Sequence, residues 1–376
     1  MRSRHAEIFE TVRREILAGK YDAEAKLPGA AELAARFGVS RPTVGRAILD
    51  LAREGLVVTH PGAATRISRF ALNATGALGL VVPGDCYTET FPLICSAIER
   101  LAGQAGWDVI RGQIRADDPA VRAREAHRLA RQFESEHVAG VFFQPLEFIS
   151  DGSGVSREIL ACFARAAIPV CLLDYDVVPP PDRSGLDLVG IDNVGAGMAV
   201  GRALLASGAR RLAFLRRPGA APTVSDRLCG VARAVIEAGG SWSWTENVLC
   251  CEPGDRRAVA AFIRRTRPDA IVSGNDVAAR RLHDTLRALG GGRAARRERL
   301  PDIRLAGFDD IAVGAEIGLV TCRQPCVEIA EVALQTLVSR IRDPSLPART
   351  IQLHAPLVTH GANGAHCFSP VGFDKI

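Results

Sequence analysis

Lysine is nearly missing from this 376-residue chain: of 47 basic side chains, only Lys20, Lys26 and Lys375 are lysines. A Walker-type phosphate loop needs a lysine behind its glycines, and a pyridoxal phosphate enzyme needs one for its Schiff base. The lysine-free stretch between Lys26 and Lys375 excludes both from the body of the chain. Aromatic residues are also scarce, at 5%. No run of about 18 uncharged apolar residues occurs, so no membrane span is expected. The N-terminus MRSRHAEIFE is charged and has no apolar signal core, which predicts a cytoplasmic protein. The ten cysteines form no CxxC pair and no Cys/His pair at zinc spacing. In a reducing compartment they read as small core hydrophobes, and no metal or cofactor is expected.

Charge is present but segregated. Residues 1–69 hold twelve Lys/Arg against eight Asp/Glu, so +4 of the chain's net +5 sits there. A small basic head on a near-neutral body predicts a polyanionic partner for the head. Ile8, Phe9, Val12, Ile16 and Leu17 fall on one helical face, and Gly19, Pro28 and Gly29 then break the pattern. A second helix over about 29–36 turns Leu33 and Phe37 inward and closes at Gly38. Ser40 is placed to cap a third helix by accepting its first-turn amides, with Pro42 tolerated there. Val44, Ala47, Ile48 and Leu51 face the core, which leaves Arg41, Thr43, Gly45, Arg46, Asp50 and Arg53 outward. The segment LVVTHPGAATRIS reads as two short strands around Pro61–Gly62. Helix, turn, helix and hairpin make a winged helix-turn-helix, whose third helix fits a major groove about 12 Å wide.

The head resembles the GntR family of bacterial regulators over residues 5–68, on IFETVRREILAGKY and LPGAAELAARFGVSRPTVGRAILDLAREGLV. The resemblance implies groove-facing roles for Ser40, Arg41 and Thr43. This chain departs from the family pattern at Ala31, at Gly45 and in the wing, which reads Gly62-Ala63-Ala64-Thr65-Arg66. Arg46 and Arg66 are expected to replace the missing charges. The expected DNA-binding set is therefore Ser40, Arg41, Thr43, Arg46, Gly62, Thr65 and Arg66.

Residues 70–76 read as a linker and 361–376 as a tail without signal. Between them, over 77–360, short apolar runs alternate with helical stretches. Strands are expected at 78–82, 107–112, 138–143, 169–174, 186–191, 211–216, 246–251, 270–274, 304–308 and 351–359. Strands apolar on both faces and separated by helices mean parallel sheets covered on two sides. The fold class is thus α/β: a two-lobed body of parallel sheets flanked by helices, with an N-terminal winged helix-turn-helix domain. The proline-rich break DVVPPPDRSG, 176–185, is expected to carry the chain between lobes. Such bodies bind small molecules in the cleft at the carboxyl ends of their strands. Asp85, Gln144, Asp174, Asn275, Asp276, Asp309 and Asp310 follow strands, and Arg227 opens a helix. Carboxylates, amides and a guanidinium suit a ligand with several hydroxyls.

The segments LVGIDNVGAGMAVGRALLASGARRLAFL, SDRLCGV, VSGNDVAA and LAGFDDI resemble the sensor domain of the LacI/GalR repressors, which implies a two-lobed, periplasmic-binding-protein-like body. The resemblance implies that Arg227, Asn275 and Asp309 hold the effector, commonly a sugar, with Asp85, Tyr87 and Asp174 beside them. No stacking aromatic is evident at the CEPGD loop.

GAGMAVG, Gly195–Gly201, also looks like a dinucleotide fingerprint, with Arg216 and Arg217 where a 2′-phosphate would be gripped. The alternative is therefore an NADP-binding, oxidoreductase-like body with a DNA-binding appendage. The arginine-rich segment 290–302 reads as a solvated loop. The leading expectation is not an enzyme but a ligand-responsive repressor. It would hold double-stranded operator DNA as a homodimer and answer to a polyhydroxy effector such as a sugar or related polyol.

Overall fold

The computed structural model describes residues 4–17, 20–21, 25–53, 56–59, 64–67, 76–83, 90–114, 118–148, 152–290 and 302–360. The head consists of α1 (Arg4–Leu17), α2 (Ala30–Phe37), α3 (Arg41–Arg53) and the antiparallel pair β1 (Val57–Val58) and β2 (Arg66–Ile67). Ile8, Val12, Ile16, Leu33, Val44, Ala47 and Leu51 are buried in one core, as their helical spacing requires. Gly38 ends α2 at φ 63°, a left-handed position where a side chain is strained. Glu15 gathers the outer face of the head: it accepts from Lys20 Nζ at 2.6 Å, Tyr21 Oη at 2.9 Å and Arg36 Nη1 at 2.8 Å. The Arg36 guanidinium holds the Glu15 carboxyl down at about 2.

The body begins with β3 (Ala77–Pro83), α4 (Thr90–Gln104), β4 (Asp108–Ile114), α5 (Pro119–Ser135), β5 (Gly140–Phe143), α6 (Gly152–Arg165), β6 (Val170–Leu173) and β7 (Asp187–Ile191). It continues with α7 (Asn193–Ala206), β8 (Leu212–Arg216), α8 (Pro222–Glu237), β9 (Val248–Cys250), α9 (Arg256–Thr266), β10 (Ala270–Ser273), α10 (Asp276–Gly290) and β11 (Arg304–Ala306). Last come α11 (Ala312–Ile317), β12 (Val320–Cys322), α12 (Cys326–Arg342), β13 (Thr350–Leu353) and β14 (Leu357–Thr359).

Two six-stranded sheets result, ordered β13-β7-β6-β5-β3-β4 and β14-β12-β11-β10-β8-β9. Every pairing within them is parallel except β12 with β14. Every residue of β5, β6 and β10 is buried, because helices cover both faces of a parallel sheet. The first sheet builds one lobe and the second sheet the other.

Three sequence expectations need correction. Residues 176–185 do not pass between lobes; they join β6 to β7, whose register runs unbroken from Cys171↔Asp187. Asp176 folds that loop back on itself, accepting from Val178 N and from Ser184 N and Oγ. Prolines interrupted the ladder there without ending the sheet. The single strand expected over 351–359 is two strands in two different lobes. Pro356, which has no N–H to donate, stands in the segment that passes from β13 to β14. Finally, β12 is only three residues long and was not foreseen.

The chain therefore crosses between lobes at Asp192, between β12 and α12, and at 354–356. Asp187, 1% exposed, ties the end of α12 and the start of β13 to β7. Its carboxylate accepts from Arg340 Nε at 3.0 Å, Arg349 N at 2.9 Å and Arg349 Nε at 3.3 Å. Among the described cysteines, Cys95, Cys171, Cys251 and Cys322 are buried, whereas Cys229 and Cys250 are exposed.

Candidate functional site

On the head, α3 presents Arg41 and Arg46 to solvent, with Thr43 half-buried at its start. The Ser40 hydroxyl meets the Thr43 hydroxyl at 2.8 Å, where a side chain–amide cap was expected. The Ser40 carbonyl accepts from the Thr43 and Val44 amides. In the wing, Arg66 is exposed and Thr65 half-buried. Arg66 pairs with Val58 and also bridges Lys26. Gly62 lies outside the described residues. Arg41 and Arg46 stand about one turn and a half apart on α3, both exposed, whereas Val44 and Leu51 are buried.

In the body, Asp174, Arg227, Asn275 and Asp309 line one cavity between the lobes. Asp85 and Tyr87 lie outside the described residues. Arg227 is the anchor. It projects from α8 and is 5% exposed. Its Nε donates to Asn193 Oδ1 at 2.8 Å and its Nη1 to the Gly274 carbonyl at 2.7 Å. Its guanidinium lies over the Phe308 ring, 4.8 Å from the centroid. These contacts fix the planar fork with an edge to the cleft. Asn193 itself donates to the Ile191 carbonyl, so the first crossing between lobes positions the arginine.

Asp309 follows β11 and receives Gln324 Nε2 at 3.2 Å. Asn275 accepts the Ala278 amide and thereby caps α10, so it serves the helix while facing the cleft. Asp174, at the end of β6, receives the Thr223 hydroxyl from the opposite lobe at 3.4 Å. Asp174, Asp309 and Asp310 all hold positive φ, at 76°, 116° and 54°. Such conformations cost about 1–3 kcal/mol each and gather where function needs a side chain aimed off the strand.

Several residues here escaped the sequence reading. Glu147, after β5, accepts the Ala221 amide from the facing lobe at 3.0 Å. Burial, and then the charge of Asp174, push its carboxyl up to about 7. Burial likewise raises Asp174, against the pull of Arg227 and Thr223. Phe91 and Phe148 supply rings to the same cavity, and Arg217 lies over Phe148 at 4.5 Å. The aromatic rings of this cavity thus come from the lobe opposite the CEPGD loop. Behind the cleft, Asp276 is fully buried and accepts from Thr321 Oγ1 and Ile311 N; burial, then Asp309, raises it to about 8. Asp310 is bound to Arg323 and His360, and Gln144 is buried with an unpartnered Oε1.

The fingerprint glycines are spent elsewhere. A Cβ on Gly197 would strike the Arg227 carbonyl, and one on Gly201 would crowd Ala234; both contacts are with α8, helix on helix rather than helix on sheet. Asp192 Oδ1 accepts the Gly195 amide at 2.8 Å. A carboxylate already holds the place where a pyrophosphate would need free amides.

Residues 4–67 match the bacterial regulatory proteins of the gntR family, and residues 202–361 match the periplasmic binding protein-like domain. The chain joins a GntR-type head to a periplasmic-binding-protein-like body. A ribose operon repressor of Bacillus subtilis is 24% identical over 281 residues, 73% of this chain and 77% of the relative. The arabinose metabolism transcriptional repressor of Geobacillus stearothermophilus is 24% identical over 354 residues, 88% of this chain and 89% of the relative. Among solved structures, a complex of the transcriptional regulator CelR with cellobiose superposes with a TM-score of 0.63 at 20% identity, covering 89% of this chain and all of that one. A ribose operon repressor described for Burkholderia thailandensis gives 0.60 at 23% identity, covering 76% of this chain and all of that one. These relatives are regulators, and none of those cited is a dinucleotide enzyme. No helix among the described residues is long and apolar enough to cross a membrane.

Proposed function

We propose that this chain is a ligand-responsive transcriptional repressor which grips operator DNA as a homodimer and takes a small polyhydroxy effector between its lobes. One observation carries the reading: a buried guanidinium, Arg227, is locked at the mouth of an interlobe cavity with Asp174, Asn275 and Asp309 around it. A sugar ring offers several hydroxyls that such donors and acceptors satisfy in pairs. Ribose, arabinose and cellobiose, in the names of relatives and neighbours, are natural first probes.

Ser40, Arg41, Thr43, Arg46, Gly62, Thr65 and Arg66 form the proposed DNA surface, with the arginines on phosphates and Thr43 at base edges. Two heads are needed because one small module makes too few contacts for tight, specific binding. The effector couples to DNA by favouring one lobe arrangement, with a coupling of about 1–3 kcal/mol.

The test is a gel shift on operator fragments selected with the full chain. Addition of one cognate sugar should weaken binding about 5- to 150-fold, and Arg227→Ala, assayed below its own melting temperature, should abolish that response while still binding the operator. A panel of sugars that leaves affinity unchanged overturns the reading.

A further inference from the structure

The cavity at Arg227 is small, and it has a much larger neighbour. The space lined by Arg227, Asn275 and Asp309 measures about 60 Å³, room on the order of a few waters. Beside it lies a chamber of about 700 Å³, within the range of about 300–1,000 Å³ that small-molecule sites occupy. Glu147, Phe148, Asp174, Ala220, Ala221 and Thr223 wall both spaces. A ligand seated on Arg227 therefore finds its nearest free volume in the larger chamber.

That chamber is built on one face of the first sheet. Leu188 pairs with Thr350 and Gly190 with Gln352 across β7 and β13, and alternate residues of a strand share a face. All four line the chamber, and the 176–183 loop bounds it as well. Gly190 puts no side chain on that face, so space is left beside Leu188. The apolar walls are Leu146 and Val177, both buried, with Val178 and Leu188, which are half-buried and keep apolar surface uncovered.

The polar side chains on these walls are bonded within the protein. Tyr175 Oη donates to the Pro145 carbonyl at 3.0 Å, and Ser156 Oγ accepts the Leu146 amide at 3.0 Å. Asp176 accepts from the Val178 and Ser184 amides, and Arg183 reaches the Thr350 hydroxyl. At the junction of the two spaces, Glu147 holds the Ala221 amide and Asp174 the Thr223 hydroxyl. Asp182, Asp226 and Gln352 are exposed, so solvent serves them. Hydroxyls or charges carried deep into the chamber would lose water and gain few partners, which is costly. An apolar group entering it loses nothing and covers Val178 and Leu188.

We propose that the effector is a sugar glycoside with an apolar aglycone: hydroxyls at Arg227, Asn275 and Asp309, and an alkyl or aryl group in the larger chamber against Val177, Val178 and Leu188. This rests on the effector reading above and specifies its ligand. Ala221 and Pro222 reach the same chamber from the second lobe. The apolar group thus touches both lobes, and its burial favours the arrangement that holds them together.

Calorimetry on the full chain decides it, with methyl, butyl and phenyl glycosides of glucose, galactose, arabinose and ribose, and cellobiose and maltose alongside. In at least one sugar series the butyl or phenyl glycoside should bind about tenfold or more tightly than the methyl glycoside. Its heat-capacity change should be the more negative, as burial of apolar surface requires. Val178→Gln and Leu188→Gln should each shrink the affinity ratio severalfold, with folding checked by thermal melting. If either variant is misfolded, the ratio measured in the other decides. A methyl glycoside or a disaccharide that binds as tightly as the butyl and phenyl compounds overturns the apolar assignment and leaves the effector cleft standing. A ratio that survives in the folded variants overturns it too, as does silence from every butyl and phenyl glycoside. The effector reading fails separately, if Arg227→Ala and the wild type respond alike to every sugar in the gel shift.

Discussion

Arg227 Nη1 lies 4.0 Å from Asp309 Oδ1, and both residues are more than nine-tenths buried. The pair joins the first turns of α8 to the end of β11, so it is both a structural tie and part of the cleft wall. Truncating one partner of a buried charge pair strands the other, at a cost of about 3–5 kcal/mol. Arg227→Ala should therefore lower the denaturant midpoint markedly. Adding Asp309→Asn to it should recover part of the loss, because no unpaired charge then remains. Equal midpoints for the single and double variants would show that the pair is not coupled.

Acidity should act on stability in an unusual direction. Burial pushes Glu147 up to about 7 and Asp276 to about 8 in the folded chain, above the 4.5 and 3.8 of the free side chains. Between those values the folded state keeps protons that the unfolded chain has released. Their contribution is complete below about pH 4, declines as pH rises, and is gone above about 7 for Glu147 and about 8 for Asp276. Urea midpoints measured across this range should fall with rising pH more steeply in the wild type than in Glu147→Gln. A slope unchanged by that substitution would remove Glu147 as a source.

Much of this was legible beforehand, for a physical reason. Strands such as 140–143 and 170–173 are buried on both faces, so they must be continuous apolar runs and stand out as such. Arg227, Asn275 and Asp309 follow recognisable segments, and Asp174 ends a strand, where cleft residues of this fold class belong. Glu147 was hidden because PLEFIS looks like an ordinary polar turn; only the facing Ala221 amide, 74 positions away, makes it part of the cleft. The run IQLHAPLVT alternates like one strand, and nothing local says that its halves join different sheets.

Glycine replacements should separate packing from conformational freedom. A Cβ on Gly197 meets the Arg227 carbonyl, and one on Gly230 meets the Val194 carbonyl. Gly197→Ala or Gly230→Ala should cost about 1–3 kcal/mol through overpacking. Gly197→Ala should also weaken effector binding, because it displaces the backbone that carries Arg227. Gly103, in α4, has open space around its Cβ position, so Gly103→Ala should raise stability by about 0.5–1 kcal/mol. Thermal melts of the three variants give the comparison; a destabilised Gly103→Ala would contradict it.

On the head, Arg41→Ala and Arg46→Ala should weaken binding uniformly across DNA sequences. Each should lower the slope of log affinity against log salt by about 1. Thr43→Ala should instead relax preference at one base position while leaving the salt slope alone. Fluorescence anisotropy over a salt series distinguishes the two, and a salt slope unmoved by either arginine variant would place both off the phosphates.

The edge strand β13, residues 350–353, completes a sheet that β3 opened at residue 77. A ribosome must therefore deliver some 270 further residues after β3 before the first lobe can close. The described elements of the head, in contrast, are finished by residue 67. During synthesis a DNA reader exists long before the sensor that governs it. A nascent or prematurely terminated chain that stops short of residue 350 would carry a finished head and no completed first lobe to govern it.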